Sequence, residues 1–349
     1  ISGLGELIGY GMRYVFGRIA DRTKRYWPMV FLGYALELAA IPALALVGEH
    51  GWIAACVLLV VQRMGKAVKK PAKDTITSFA SFGLGQGKSF AILELLDQIG
   101  AFLGPVLLYV VMLFKTSGSS FERYSFCFAM LIIPAVITML MLWLTRRKFP
   151  NPEQFEPTPK EYTPFKMQRQ FVYYIIGISL FAFGFIDYSL IIMHVSRLNI
   201  FSSDTIPLIY AGAMIIDAIA ALIFGWLFDH RGTLALVLST MLSVLFPILI
   251  FGFGSRVPVL WGVAMWGVGM GAQETILKAA VATMVPKQSR ATGYGIFECS
   301  FGFFWFIGSW LLGALYDVNL TAMIVVSMVA QLFAIPMYIL SYRKSRQTI

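Results

Sequence analysis

Ten apolar runs, at about 27–48, 52–66, 89–114, 124–145, 170–193, 206–228, 233–254, 257–285, 292–316 and 320–342, follow one another with short polar intervals between them. Residues 1–20 form one more. A hydrocarbon core is crossed by roughly 20 consecutive apolar residues in a helix, so the pattern predicts an all-α polytopic membrane protein with eleven spans. The first run carries Glu6 and Arg13, which is polar for a membrane helix, and is expected to pack inside a bundle. The chain starts on Ile1, and the pattern predicts a further helix upstream, the first of twelve.

Composition agrees with the pattern. Of 349 residues, 58% are hydrophobic and 13% charged, against about 25% charged in soluble domains, and mean hydropathy is +0.74. The formal charge of +10 would suggest nucleic acid in a soluble chain, but here the basic residues sort by membrane side. One side, comprising the 17–26 turn, the 66–88 loop, the 146–169 linker, the 229–232 and 286–291 turns and the C-terminal tail, holds 21 of the 28 Lys and Arg. The opposite side holds only Lys115, Arg123, Arg197 and Arg256; Arg13, Arg63 and Lys278 fall within spans. The basic side is expected to be cytoplasmic, with the C-terminus on it, in a prokaryotic cytoplasmic membrane. Cys56, Cys127 and Cys299 lie in apolar runs without metal-ligand spacing and read as packing residues.

Two internal repeats organise the chain. Gly17-Arg-Ile-Ala-Asp-Arg-Thr-Lys-Arg25 recurs about 208 residues later as Gly225-Trp-Leu-Phe-Asp-His-Arg-Gly232, and Phe90-Ala-Ile-Leu-Glu94 recurs at an offset of 204 as Tyr294-Gly-Ile-Phe-Glu298, with Gly104 matching Gly308. In each hinge the glycine is expected to allow a tight turn between helices, and the aspartate to face a helix N-terminus or an arginine. The proline-rich stretch Arg146–Pro164 cannot form a continuous helix and reads as a linker. The predicted division is an N-terminal bundle 1–145, a linker 146–169, and a C-terminal bundle with a short tail, 170–349. Parallel repeats joined in this way are an architecture of secondary transporters, with the solute site near the midplane.

On these residues the chain resembles the major facilitator superfamily over essentially its whole length. Gly17–Arg25 resembles that family's signature loop between helices two and three, and Gly225–Gly232 its weaker copy between helices eight and nine. Gly100-Ala-Phe-Leu-Gly104-Pro105 is similar to the helix-five glycine–proline motif of proton-exchanging exporters, although Leu107 and Leu108 replace the glycines that follow in it. Gln62-Arg63-Met-Gly65-Lys66 resembles the arginine–glycine motif of helix four, and Gly267-Val-Gly-Met-Gly-Ala-Gln-Glu274 resembles helix ten of a prokaryotic branch. The resemblance implies two six-helix halves rocking about a central site. It implies an interdomain lock at Asp21, Arg22, Asp229 and Arg231, and conformational glycines at Gly17, Gly100, Gly104 (with Pro105) and Gly225. The alternative for the hinge charges is that they only set topology.

An ionisable group at membrane depth costs several kcal/mol unless paired, neutralised or wetted, so each one requires an account. Glu274 and Lys278, four apart, share one face of helix ten, either as a self-neutralised pair or as a titratable carboxylate and substrate anchor. Glu94 and Asp97 are three apart near the basic end of helix five; a gate salt bridge is expected there, with Glu298 as counterpart, and a substrate contact is the alternative. Asp187 in helix seven and Asp217 in helix eight are candidates for the substrate or proton pathway, along with Arg63. Glu37 is expected to bond a neighbour or stay protonated, and His194 to sit hydrated at the outer interface. The glycines of Phe82-Gly-Leu-Gly-Gln-Gly-Lys-Ser89 lack phosphate-loop spacing and read as a flexible connection.

No zinc, serine-hydrolase or nucleotide motif appears, so an enzyme, a cofactor, a resident metal, ATP and nucleic acid are not expected. The expected partners are a small-molecule substrate, protons and membrane lipid. The reading is a secondary active transporter working by alternating access with proton coupling, an exporter of amphipathic compounds. Alternatives are uptake of a small organic anion held by Arg63 or Lys278, or, in a different class, a membrane sensor or membrane-embedded enzyme.

Overall fold

Where two helices cross inside a membrane, the side chains at the crossing set their separation, and glycine permits backbone contact. The computed structural model describes residues 2–48, 50–114, 120–157, 167–201 and 205–345, and uses such crossings repeatedly. Among the described residues it is helical with no strand: α1 (Ser2–Thr23), α2 (Tyr26–Ala43), α3 (Trp52–Ala80), α4 (Gln86–Phe114), α5 (Ser120–Met130), α6 (Ile132–Lys148), α7 (Arg169–Gly184), α8 (Tyr188–Arg197), α9 (Ile206–Arg231), α10 (Leu234–Ser243), α11 (Phe246–Phe251), α12 (Arg256–Met284), α13 (Arg290–Val318) and α14 (Leu320–Ser345).

Three of the apolar runs, expected as single helices, are each broken into two. Pro134 and Pro247 stand in the first turns of α6 and α11 and lack the N–H that would close the preceding turn. The break between α7 and α8, at Phe185–Asp187, contains no proline. Among the described residues seven segments are long and apolar enough to cross a membrane: Tyr26–Leu46, Phe121–Lys148, Arg169–Arg197, Ile206–Arg231, Leu234–Phe251, Lys287–Val318 and Leu320–Ser341. Helices α3 and α12, 29 residues each, have the length but carry charges, Arg63 through Asp74 on one and Glu274 and Lys278 on the other.

The chain divides into two compact units. One comprises Ile1–Ala80, Ile99–Tyr162 and Lys287–Cys299; the other comprises Ser81–Gln98, Thr163–Pro286 and Ser300–Ile349. Helices α4 and α13 are therefore each shared, their first turns packing in one unit and the remainder in the other. In the first unit α2 crosses α3 where Gly33 and Gly65 face each other: a Cβ on either would fall 2.6 Å from the other's carbonyl oxygen. Tyr26, Val30, Val68, Ala72 and Phe79 form the core beside this crossing, with Ala291 of α13 packed among them.

In the second unit α12 lies against α9 through Gly267 and Gly271, whose missing side chains admit the Ala213 and Asp217 carbonyls. Gly269 between them faces Ser243 of α10 and Phe185, so the Gly267-Val-Gly-Met-Gly run serves close packing on two sides of α12. On the other side of this unit α7 meets α14 through Gly177 against Tyr338 and Gly184 against Ala330.

Glycines with and without neighbours should respond oppositely to the same substitution. Gly65→Ala should lower the thermal midpoint of the detergent-purified protein, because overpacking a fixed crossing costs about 1–3 kcal/mol. Gly100→Ala, where a Cβ would meet nothing within 4 Å, should raise it, since alanine is favoured in a helix interior by roughly 0.5–1 kcal/mol. Equal shifts in a thermal-unfolding assay would contradict this packing.

Candidate functional site

The two hinges place their aspartates in matching chemistry. Asp21, near the end of α1, accepts the Ala291 N–H at 3.2 Å, the Thr292 N–H at 2.6 Å and the Thr292 hydroxyl at 2.6 Å, all in the first turn of α13. Asp229, near the end of α9, accepts the Gly87 N–H at 2.7 Å and the Lys88 N–H at 2.9 Å in the first turn of α4. The first four N–H groups of a helix have no partner within it and carry the positive end of its dipole, so a carboxylate from elsewhere in the chain caps them. Burial pushes the Asp21 carboxyl up from its ordinary value, while the Thr292 and Ala291 donors and the Lys24 ammonium pull it down. Arg22 and Arg231 are exposed beside their aspartates.

The hinge glycines act otherwise than expected. Gly17 and Gly225 lie inside α1 and α9, not in turns, and their role is close approach: Gly17 abuts the Ala291 carbonyl, and a Cβ at Gly225 would stand 2.6 Å from the Gly87 oxygen. The chain reverses instead at Lys24 (φ 53°) and Gly232 (φ 61°). The Gly83–Gly87 run, expected to be a flexible connection, cradles Asp229: Gly85 has φ 98°, and both Gly85 and Gly87 face its carboxylate. A side chain at either position would displace it. Gly100 and Gly104 lie within continuous α4 with open space around them; the Pro105 side chain is outside the described residues.

The repeated glutamates are buried and paired. Glu298 on α13 receives Arg13 of α1 and, at 2.9 Å, Lys70 of α3. Glu94 on α4 lies 3.5 Å from Lys278 of α12. Both glutamates are 3% exposed or less, and Asp97 is exposed, so the pair expected on one face of helix five falls in two environments. Glu37 pairs with Lys69. The Glu6 side chain lies outside the described residues.

Asp217 differs from these. It is fully buried where α9 meets the Gly271 gap of α12, and neither carboxylate oxygen has a hydrogen-bond partner among the described residues. Glu274, Glu94 and Lys278 lie within its electrostatic reach. Four candidates that sequence spread over helices five, eight and ten, Glu94, Asp217, Glu274 and Lys278, are therefore gathered in one cluster inside the second unit. Arg63 is half-buried on α3 in the first unit and is not part of it.

Asp187 stands at the α7–α8 break and accepts the Ser309 hydroxyl at 2.5 Å. Aromatic rings surround the break: Phe185 packs on Phe246 (5.1 Å), Trp305 (5.7 Å) and Trp266 (5.9 Å), and Tyr188 on Tyr210 (4.8 Å) and Trp266 (5.1 Å). His194, expected at a hydrated interface, is instead buried, with Nδ1 3.1 Å from the Tyr316 hydroxyl and its ring against Phe251.

Sequence reasoning named the linker at 146–169 but not its docking. Its first part is built into the first unit: a 3₁₀ turn at Pro152–Phe155 presents the Glu153 carbonyl to the Lys287 ammonium at 2.7 Å, with the Glu156 carbonyl on the same ammonium. Arg290 forks onto both Glu156 oxygens, and its guanidinium also donates to Ser78 at 3.1 Å. The Trp27 indole donates to the Phe149 carbonyl at 3.0 Å. A proline-rich charged stretch carries no periodicity to announce such docking, but Lys287 and Arg290 beside the second repeat were a signal that something anionic lies there.

Comparison with known proteins gives a consistent picture. The family model described as Major Facilitator Superfamily matches residues 2–309 and 186–348. An uncharacterized protein of Mycobacterium tuberculosis is 34% identical over 345 residues, covering 97% of this chain and 82% of that protein. The crystal structure of the human organic anion transporter MFSD10 superposes with a TM-score of 0.72 at 14% identity, covering 97% of this chain and 83% of that one. The transporter FucP in its outward conformation gives 0.68 at 12% identity, covering 97% and 89%. At these identities the structures show a shared fold.

The linker clamp has a direct test. Glu156→Ala should speed backbone hydrogen exchange across 150–157 by at least tenfold while leaving α2 unchanged; equal exchange in both proteins would mean that Arg290 does not hold the segment.

Proposed function

The chain belongs to the major facilitator superfamily, a multi-pass family of secondary transporters and not of enzymes, and on that premise we propose that it exchanges protons for a small amphipathic solute, with Asp217 as the proton carrier. The observation that carries the reading is Asp217 itself. An ionised carboxylate without donors costs several kcal/mol in apolar surroundings, so a carboxyl buried in this way carries a proton and releases it when water or a cation arrives. Lys278 is the cation at hand. It pairs with Glu94 in this structure, and a shift toward Asp217 would discharge the proton while Glu94 or Glu274 takes the next one.

The hinges supply the conformational half of the mechanism. The basic face is cytoplasmic, and α4 and α13 each start against a hinge carboxylate. Opening that face withdraws the first turns from Asp21 and Asp229, exposing helix N–H groups and a carboxylate to water that can solvate both. Each cap contributes about 0.3–2 kcal/mol, which is of the size needed for a reversible switch. Glu298 with Arg13 and Lys70 in the first unit, and Glu94 with Lys278 in the second, part or re-pair in the same transition. Export is supported by the helix-five motif and by the aromatic lining of the α7–α8 break, which suits an amphipathic cargo.

Two substitutions separate these parts. Asp217→Asn should abolish proton-driven flux in proteoliposomes and keep substrate exchange at equal pH; unchanged driven flux would remove Asp217 from the mechanism. Asp21→Asn weakens one cap and should increase cysteine labelling at sites beneath the basic face several-fold. Labelling that matches wild type would leave the hinge charges as topology signals alone.

A further inference from the structure

The α7–α8 break is built into the fold. The Gly184 carbonyl, freed by the break, accepts the Ser327 hydroxyl at 2.5 Å and the Gln331 amide at 3.3 Å, and the Ile186 carbonyl accepts the Trp266 indole at 3.0 Å. Donors fixed on α12 and α14 therefore satisfy the backbone that an unbroken helix would have satisfied itself, as non-helical backbone at membrane depth requires. Beside the break is a cavity of about 230 Å³ between α8 and α13, whose lining includes Ile186, Asp187, Ser189, Met193, Ser309 and Gly313. It exists because α13 approaches and then parts. At Gly308 the helix touches the Phe183 backbone, whereas a Cβ at Gly313 would meet nothing within 4 Å.

The lining carries one charged group, the Asp187 carboxylate, which accepts the Ser309 hydroxyl; Ser189 lies in the same lining, and the rest of it is mainly aliphatic. A carboxylate has about four lone-pair positions and can accept from Ser309 and from a ligand together. Its sign favours a cation over an anion. A metal ion is disfavoured because no group of three His, Cys, Asp or Glu side chains gathers among the described residues. The volume falls below the roughly 300–1,000 Å³ of sites for drug-sized molecules, so the occupant is compact.

We propose that this cavity binds a compact primary ammonium, with the NH3+ group on Asp187 and the serine hydroxyls and a short alkyl chain along Ile186 and Met193. The proposal rests on the transporter reading and names the class of its cargo.

The test is isothermal titration of the purified protein in detergent with n-butylammonium, and with 1-butanol as the neutral molecule of equal length. Saturable binding of the amine and none of the alcohol is expected. Asp187→Asn should weaken amine binding at least tenfold. Gly313→Leu, which fills the cavity and leaves the carboxylate in place, should weaken it as much while keeping the wild-type thermal midpoint, so a folding defect at position 187 cannot decide the matter. No saturable amine binding to wild type, binding unaffected by Gly313→Leu, or 1-butanol binding as tightly as the amine would each overturn the proposal, the last assigning the cavity to lipid chains. These outcomes are independent of proton coupling: loss of driven flux in Asp217→Asn together with no amine binding would sink the cargo class alone, and the reverse pair would sink the coupling alone.

Discussion

The structure depends on one constraint: a charge or an open backbone group in hydrocarbon must find a partner. The two long helices shared between the compact units begin at basic-side turns where their N–H groups would otherwise stand free, and the hinge carboxylates occupy those positions. Within each unit neighbouring residues support the cap. Gly17 and Gly225 bring the backbones close enough for the carboxylates to reach, Gly85 and Gly87 clear space for Asp229, and the linker ties Lys287 and Arg290 down beside the turn that Asp21 caps.

The two copies share a plan and differ in chemistry. Glu298 is neutralised by two cations, Arg13 and Lys70, within the first unit, whereas Glu94 has Lys278 and lies close to Asp217 and Glu274 in the second. The copy with a surplus of cations is suited to a static tie. The copy with Asp217, Glu94 and Glu274 near one lysine has more acids than cations, which is the imbalance that the proposed proton exchange draws on. Gly308 packs tightly on α7 where its counterpart Gly104 has open space, so duplication preserved position but not contact.

The all-helical membrane fold was legible because hydropathy reports burial in lipid directly, and the duplicated hinge was legible because capping needs an acid at a fixed place. Glu94, Glu298 and Asp217 could be named from sequence since an acid in an apolar run demands explanation. Their tertiary partners could not be: that Lys278 lies 3.5 Å from Glu94, a residue 184 positions away, is decided by helix packing and not by spacing along one helix. The glycines misled in a consistent way. Read as turn-formers, Gly17 and Gly225 prove to be points of backbone contact, and the dismissed Gly83–Gly87 run holds a carboxylate. Spacing alone does not distinguish a glycine needed for φ from one needed for proximity.

The claim that the caps break and re-form is tested most directly by distance measurement between spin labels at Thr23 and His230, exposed residues beside the two hinges, in protein reconstituted in lipid. Two distance populations are predicted, their ratio shifting as pH falls from neutral toward acid. A single, narrow distribution that does not change with pH would contradict the account.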